Sequence, residues 1–115
     1  RNFMKHNMKL NNEPFELIEN GSKKIELRLY DEKRRKLRVN DLIEFTNIST
    51  EKKMTVLIEA LYLYPNFEEL YKHFDKISLG YDKDALVSYH DMEEYYSIEE
   101  QNKYGVVGIK IKKVD

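Results

Sequence analysis

The chain has 115 residues, of which 41% are hydrophobic and 36% are charged, so it is expected to form one folded domain with one modest core. It contains no cysteine, which excludes disulfides, thiolate metal sites and cysteine nucleophiles and favours a reducing cytoplasm. The net charge of −1 excludes a strong overall attraction to nucleic acid, although residues 1–60 carry 13 basic and 10 acidic residues and residues 61–115 carry 7 and 11.

The N-terminal segment lacks the features of a targeting signal. No apolar stretch follows Arg1, and no apolar run in the chain reaches membrane-spanning length. Because the chain begins with Arg, we interpret residues 1–7 as a tag remnant or a disordered N-terminus of a single domain over residues 1–115. Met4 and Met8 are the candidate natural starts.

The first half of the chain predicts mostly strands. Residues 4–10 predict a strand, and Asn12 and Pro14 predict the start of a helix that ends at Gly21, where positive φ carries no steric cost. Residues 24–30 alternate between apolar and polar side chains, which predicts a half-buried strand. The apolar face of this strand carries Ile25, Leu27 and Leu29, and its polar face carries Glu26, Arg28 and Tyr30.

The basic segment 31–38 predicts a polar turn, which is followed by a tight turn at 39–41 and by strands at 42–46 and 52–64. The second half is more helical. A capping box at 66–69 starts one helix, a second helix is predicted over 84–95, and a third begins at Ser97 and ends at Gly105. A strand over 106–114 closes the chain. This order predicts an α+β fold, a barrel decorated by helices, rather than a doubly wound sheet.

Three charged side chains follow the helix-ending Gly21. Glu26 and Arg28 share one strand face, and the long stem of Lys23 can reach them from the turn. A carboxylate between two cations favours its ionised form. Such a cluster can fasten the barrel mouth, hold a polar ligand, or provide Lys23 and Glu26 as a proton-transfer pair.

The segment Gly21-x-Lys23-x-x-Glu26-x-Arg28 matches in full the GxKxxExR signature of the ASCH domain family. Residues 40–45 resemble the Gly-Asp-x-Ile-x-Phe strand entry of that family, with Asn40 in place of the glycine. Residues 95–109 are similar to its C-terminal pattern. The resemblance covers the chain from about Met8 to Val114.

This resemblance implies a PUA-like β-barrel with a cleft beside the signature motif, and an RNA-binding function. Some relatives are enzymes, and one branch hydrolyses N4-acetylcytidine with a Lys, a Thr and a Glu. In that branch the Thr stands three residues after the motif Lys, where this chain has Glu26, so the nucleophile of that branch is missing here. Other relatives are reported to cleave RNA.

The first hypothesis is therefore an RNA- or nucleotide-binding domain with a ligand cleft at Gly21, Lys23, Glu26 and Arg28. Candidates to line this cleft or to stack on a base are Tyr30, Tyr64 and His90. A basic island, defined as residues 33–38, is either a solvated turn or a phosphate contact. Its basic members are Lys33, Arg34, Arg35, Lys36 and Arg38.

Two alternatives remain open. The chain is a hydrolase of modified nucleosides or of RNA that uses Glu26 and Lys23 as catalytic residues, or it is a protein-interaction domain with the acidic stretch 91–100 as its surface. His6, His73 and His90 show no metal-ligand spacing, so neither a metal nor another cofactor is expected. No Gly-rich phosphate loop or dinucleotide fingerprint is present.

Overall fold

A computed structural model describes residues 2–114. Its strands are β1 (Lys5–Leu10), β2 (Ile25–Leu29), β3 (Leu42–Asn47), β4 (Lys53–Tyr64) and β5 (Val106–Val114). Its α-helices are α1 (Asn12–Glu19), α2 (Phe67–Tyr71), α3 (Lys76–Leu79) and α4 (Ile98–Tyr104). Short 3-10 helices lie at Arg34–Lys36 and Tyr89–Glu94.

The five strands form one sheet with the order β1-β3-β4-β5-β2. β1 pairs with β3 in parallel, and the other neighbours are antiparallel. The sheet curls into a half-barrel, which confirms the predicted α+β, PUA-like fold class. β1 and β2 are its two edges, and Arg28 Nη2 on β2 donates a hydrogen bond of 2.9 Å to the Lys9 carbonyl on β1. A side chain therefore bridges the seam that backbone pairing leaves open.

The apolar side chains form two clusters on the two faces of the curled sheet. Inside the curl, α1 contributes Phe15 and Ile18, and β5 contributes alternate residues from Val107 to Ile111. On the outer face, the apolar residues of β2 pack against Phe67 and Leu70 of α2. The polar face of β2 differs from the expectation of a half-buried strand, because Glu26 on that face is only 5% exposed. Both faces of β2 are covered.

The helix predicted over residues 84–95 is wrong. Residues 82–88 form turns and irregular backbone, and the only regular element after them in this range is the 3-10 helix. The apolar residues in this segment cannot form a buried helical stripe, because Leu86 is 93% exposed. The Tyr81 hydroxyl instead lies 3.0 Å from the Ser88 carbonyl and holds the segment as a loop.

Helix α3 was not predicted, because four residues are too short to show a helical period. Asp75 caps its start through the Ser78 amide at 3.0 Å. At the N-terminus, residues 5–7 pair with β3 as part of β1. Within residues 2–114, no helix has the length and apolar character needed to cross a membrane.

Asp41 fastens the first strand to the turn before β3. It is fully buried and accepts hydrogen bonds from the Met4 amide at 3.0 Å and from the Arg38 amide at 3.2 Å. His6 Nε2 lies 2.8 Å from its second oxygen, which is the one that Arg38 contacts. Asp41 therefore joins the first strand, through Met4 and His6, to the turn that contains Arg38.

Replacement of this carboxylate should unfold the protein more readily. We expect Asp41→Ala to lower the free energy of unfolding by about 3 kcal/mol, because several buried donors lose one charged acceptor. Urea denaturation measures the change, and the exposed Asp84→Ala serves as the matched control. Equal midpoints for the two variants would contradict this role.

Candidate functional site

A cleft of about 600 Å³ lies between α1 and the segment 79–96, over the polar face of β2. The motif residues Lys23, Glu26 and Arg28 all line it, and the first two are buried at its floor. The α1 side carries Glu13, Pro14 and Leu17, and the opposite wall carries Tyr71, Tyr81, Met92, Tyr95 and Tyr96. The three charged residues of the motif therefore share the lining of one cleft.

Gly21 positions Lys23 at the floor of the cleft. Its φ of +86° lets the chain reverse after α1, where the Lys23 amide donates to the Leu17 carbonyl at 3.0 Å. Gly21 does not itself line the cleft. Its contribution is therefore to direct the backbone.

The Lys23 amino group reaches across the cleft to the end of α3. Nζ donates to the Leu79 carbonyl at 3.0 Å and lies 3.6 Å from Glu26 Oε1. Gly80, which has a φ of +102°, makes room for this side chain, because a Cβ there would lie 3.0 Å from Lys23 Cδ. Sequence reasoning missed Gly80, since neither the short helix that it ends nor its contact with Lys23 leaves a pattern in the sequence.

Glu26 is held between the two cations. Arg28 Nε donates to Glu26 Oε2 at 2.7 Å, while Lys23 faces the other oxygen. Burial raises the pKa of Glu26, but the attraction of Arg28 and Lys23 outweighs it and holds the pKa below its ordinary value. The carboxylate is therefore ionised at neutral pH.

The pKa values of the two cations shift in opposite directions. Burial lowers the pKa of Lys23, and the attraction of Glu26 only partly opposes this shift. Burial also acts to lower the pKa of Arg28, but the adjacent Glu26 carboxylate raises it above its ordinary value. With Lys23 protonated, the floor of the cleft carries one more positive charge than negative. It can donate several charge-assisted hydrogen bonds to a polar ligand.

A group of tyrosines forms the wall opposite α1. The hydroxyls of Tyr71 and Tyr81 lie 2.9 Å apart, and the Tyr81 hydroxyl donates to Asp91 Oδ2 at 2.7 Å. Burial, followed by these hydrogen bonds, raises the pKa of Tyr81, so the phenol stays neutral. Burial also raises the pKa of Tyr96, against an opposing effect of Arg28. Sequence reasoning missed this wall because its members come from separate elements and share no spacing.

The structure places three of the expected ligand-binding residues outside the cleft lining. Tyr30 packs against the inner core cluster, with the Arg35 guanidinium 4.4 Å from its ring centroid. Tyr64 stacks on His73 with ring centroids 5.0 Å apart. His90 is exposed and pairs with a glutamate of its own 3-10 helix.

Most of the basic island is occupied by contacts within the protein. Hydrogen bonds join Lys33 to the Asn7 carbonyl, Arg34 to the Asp31 carboxylate and Arg35 to the Tyr104 carbonyl. Lys36 and Arg38 are exposed. The island adjoins the Arg28 end of the cleft, because Lys33 donates to the Asn7 carbonyl of β1 and Arg28 donates to the Lys9 carbonyl of the same strand.

The paired carboxylate at the cleft floor should make stability depend on pH. We expect Glu26→Gln to lower the free energy of unfolding by about 3 kcal/mol at pH 7, because two cations lose their partner. Since the pKa of Glu26 lies below its ordinary value of about 4.3, its contribution is present above that pH and is lost as the pH falls through the depressed pKa.

Urea denaturation of the wild type and Glu26→Gln between pH 7 and pH 3 measures this difference. The gap between the two proteins should narrow below about pH 4. Glu99→Gln, an exposed glutamate in the first turn of α4, is the control. A gap that stayed constant over the whole range would contradict the role assigned to the ionised carboxylate.

Comparisons with known proteins agree with this architecture. The hypothetical protein PH0355 is 34% identical, and the match has a TM-score of 0.82 and covers 96% of this chain and 100% of that one. Protein PF0455 from Pyrococcus furiosus is also 34% identical, with a TM-score of 0.71 and coverage of 97% and 99%. ASCH from Zymomonas mobilis, at 14% identity and a TM-score of 0.64, shares the fold over 95% of this chain and 69% of that one.

A search of curated proteins gives no match. The model of the ASCH domain family, by contrast, matches residues 8–115, which is nearly the whole chain and includes the cleft motif. The chain therefore belongs to the ASCH domain family.

Proposed function

We propose that this protein binds RNA by taking one nucleobase, with its ribose, into the cleft. The observation that carries the proposal is the ion-paired Lys23–Glu26–Arg28 trio at the floor of a cleft of about 600 Å³, of which Lys23 and Glu26 are buried. A volume of this size is typical of sites for small molecules. Charged groups that are buried where a ligand can reach them favour a binding role over a purely structural one.

The trio offers the donors and acceptors that a base edge needs. Arg28 and Lys23 can donate to carbonyl oxygens, and the ionised Glu26 can accept from an exocyclic amino group. Tyr95 and Tyr96 line the cleft and supply aromatic rings on which a base can stack. A nucleobase with a carbonyl beside an amino group would satisfy both kinds of partner.

Charges at the rim favour a base over a phosphate inside the cleft. The lining includes three basic residues and five acidic ones. Four of these acids are exposed, namely Glu13, Asp82, Asp91 and Glu94. Since they repel phosphate, the sugar-phosphate backbone should lie outside the cleft while the base enters it. The exposed Lys36 and Arg38 of the basic island are candidate backbone contacts outside the cleft.

Tyr95 tests this proposal with little risk to folding, because its side chain lines the cleft and is 57% exposed. We expect Tyr95→Ala to weaken binding of short single-stranded RNA by about tenfold, since one stacked base is worth about 1–3 kcal/mol. Fluorescence anisotropy at low salt measures the affinity. A thermal-shift panel of the four nucleosides identifies the base.

Tyr62→Ala is the matched control, because Tyr62 is 37% exposed and lies outside the cleft lining. It should leave RNA affinity unchanged. Absence of binding to any RNA at low salt would contradict the proposal. Equal affinities of wild type and Tyr95→Ala would remove the cleft from the interaction.

A second candidate function is hydrolysis of a modified nucleoside or of RNA. The observation that favours it is the lowered pKa of Lys23, since burial brings a lysine closer to the neutral form that can accept a proton. Glu26 would orient water or the substrate beside it. Each Glu26 oxygen already faces a cation. A carboxylate in this position is better suited to orienting water or substrate than to accepting a proton.

Incubation with N4-acylated cytidines and with RNA separates this candidate from simple binding. If Lys23 acts as a base, turnover should rise with pH through the lowered pKa of Lys23 and then level off. Glu26→Gln should reduce turnover at least about tenfold. Equal turnover by Glu26→Gln and wild type would exclude Glu26 from the mechanism.

A further inference from the structure

A second concavity of about 520 Å³ lies beside the cleft and shares Lys23 with it. We call it the lysine groove and define it by Lys24, Lys110, Lys112, Lys113 and Glu59. It is bounded by the C-terminal end of α1, the entry to β2 and the second half of β5. The function proposed above makes no use of this surface.

The sheet topology brings these lysines together from distant parts of the chain. Lys110 on β5 pairs with Ile25, which directly follows Lys24. On the other side of β5, the register shifts between Ile58 and Ala60 of β4, and the bulged residue Glu59 is exposed at this point. The pairing of β2 with β5 therefore adds Lys24 to the lysines of residues 110–113, which are already close together in the sequence.

The charges in the groove are mostly positive. Glu19, a second acid in the lining, is already paired with Lys52 at 2.7 Å, and Lys23 is directed to Glu26 in the cleft. The lining also contains Lys24, Lys110 and Lys112, which are all exposed, and one further acid, Glu59. The groove thus has the opposite charge from the acid-rimmed cleft next to it, and a polyanion would be attracted to one concavity and repelled from the other.

We infer that the lysine groove holds the sugar-phosphate backbone of the RNA whose base occupies the cleft, an inference that rests on the proposed function. Lys23 lines both concavities, and Gly21 lies in the groove with no other side chain or backbone within 4 Å of the position of a Cβ. A strand that leaves the cleft can therefore pass Gly21 at close range and lie along the lysines. The groove reads charge and not sequence.

Salt titration of single-stranded RNA binding tests the groove directly. Each lysine that neutralises a phosphate contributes roughly 0.7 to the slope of log Kobs against log salt. Lys110→Gln/Lys112→Gln should therefore reduce that slope by about 1.4 and weaken binding at low salt. The control Lys72→Gln/Lys103→Gln removes the same charge from two exposed positions, one directly after α2 and one on α4. Neither lysine lines either concavity, so the slope of this variant should equal that of the wild type.

Glu59→Gln provides a test with the opposite sign. It removes the exposed acid from among the lysines, so RNA should bind more tightly, a result that loss of folding cannot produce. Slopes that fall equally in both double variants, or a Glu59→Gln protein with unchanged affinity, would overturn the inference.

Two further outcomes are distinguishable. If the wild type binds RNA and Tyr95→Ala weakens it, but only Lys36→Gln/Arg38→Gln changes the salt slope, the proposed function stands and the groove is excluded. If the wild type binds no RNA, the proposed function and the inference fail together. Binding to phosphatidylserine vesicles that needs the groove lysines, with RNA binding unaffected by them, would assign the surface to anionic lipid and overturn the inference.

Discussion

The ion pairs of the Glu26 carboxylate with Lys23 and Arg28 are the interactions on which the rest of the cleft depends. One oxygen of the carboxylate holds Arg28, whose guanidinium also reaches the Lys9 carbonyl and bridges the seam between the two edge strands. The other oxygen faces Lys23, which in turn contacts the Leu79 carbonyl. One buried anion thus connects β1, β2 and the far wall of the cleft. The Glu26 carboxylate, which organises the floor of the cleft, also helps to close the half-barrel.

Much of the fold could be predicted from the sequence because local signals and tertiary packing agree there. The strands β2 and β5, the glycines that follow α1 and α4, and the capping box at Ser97 are all present in the structure. The wrong prediction is the helix over residues 84–95, where the mixture of acidic and apolar residues is compatible with a helix. Side-chain contacts of Tyr81 hold that segment as a loop instead, and such contacts between separate elements leave no local pattern.

The candidate site was predictable only in part for the same reason. The signature motif identifies Lys23, Glu26 and Arg28, which lie close together in sequence and line the cleft together. The tyrosine wall depends on side-chain contacts between separate elements, and the lysine groove gains Lys24 only through the pairing of β2 with β5. Under the proposed function, the acid-rimmed cleft would take a base of the nucleic acid and the lysine groove would take its phosphates.

The contact between Lys23 and Leu79 has a thermodynamic consequence. Leu79 is the last residue of α3, so the lysine acts as a C-terminal cap for a helix of four residues that begins one wall of the cleft. A ligand that withdrew the amino group from this carbonyl would uncap the helix and loosen the wall. Linkage is reciprocal, so any change that loosened the wall would favour such a ligand by the same factor. Occupancy of the cleft by such a ligand and the order of its wall would therefore be thermodynamically coupled.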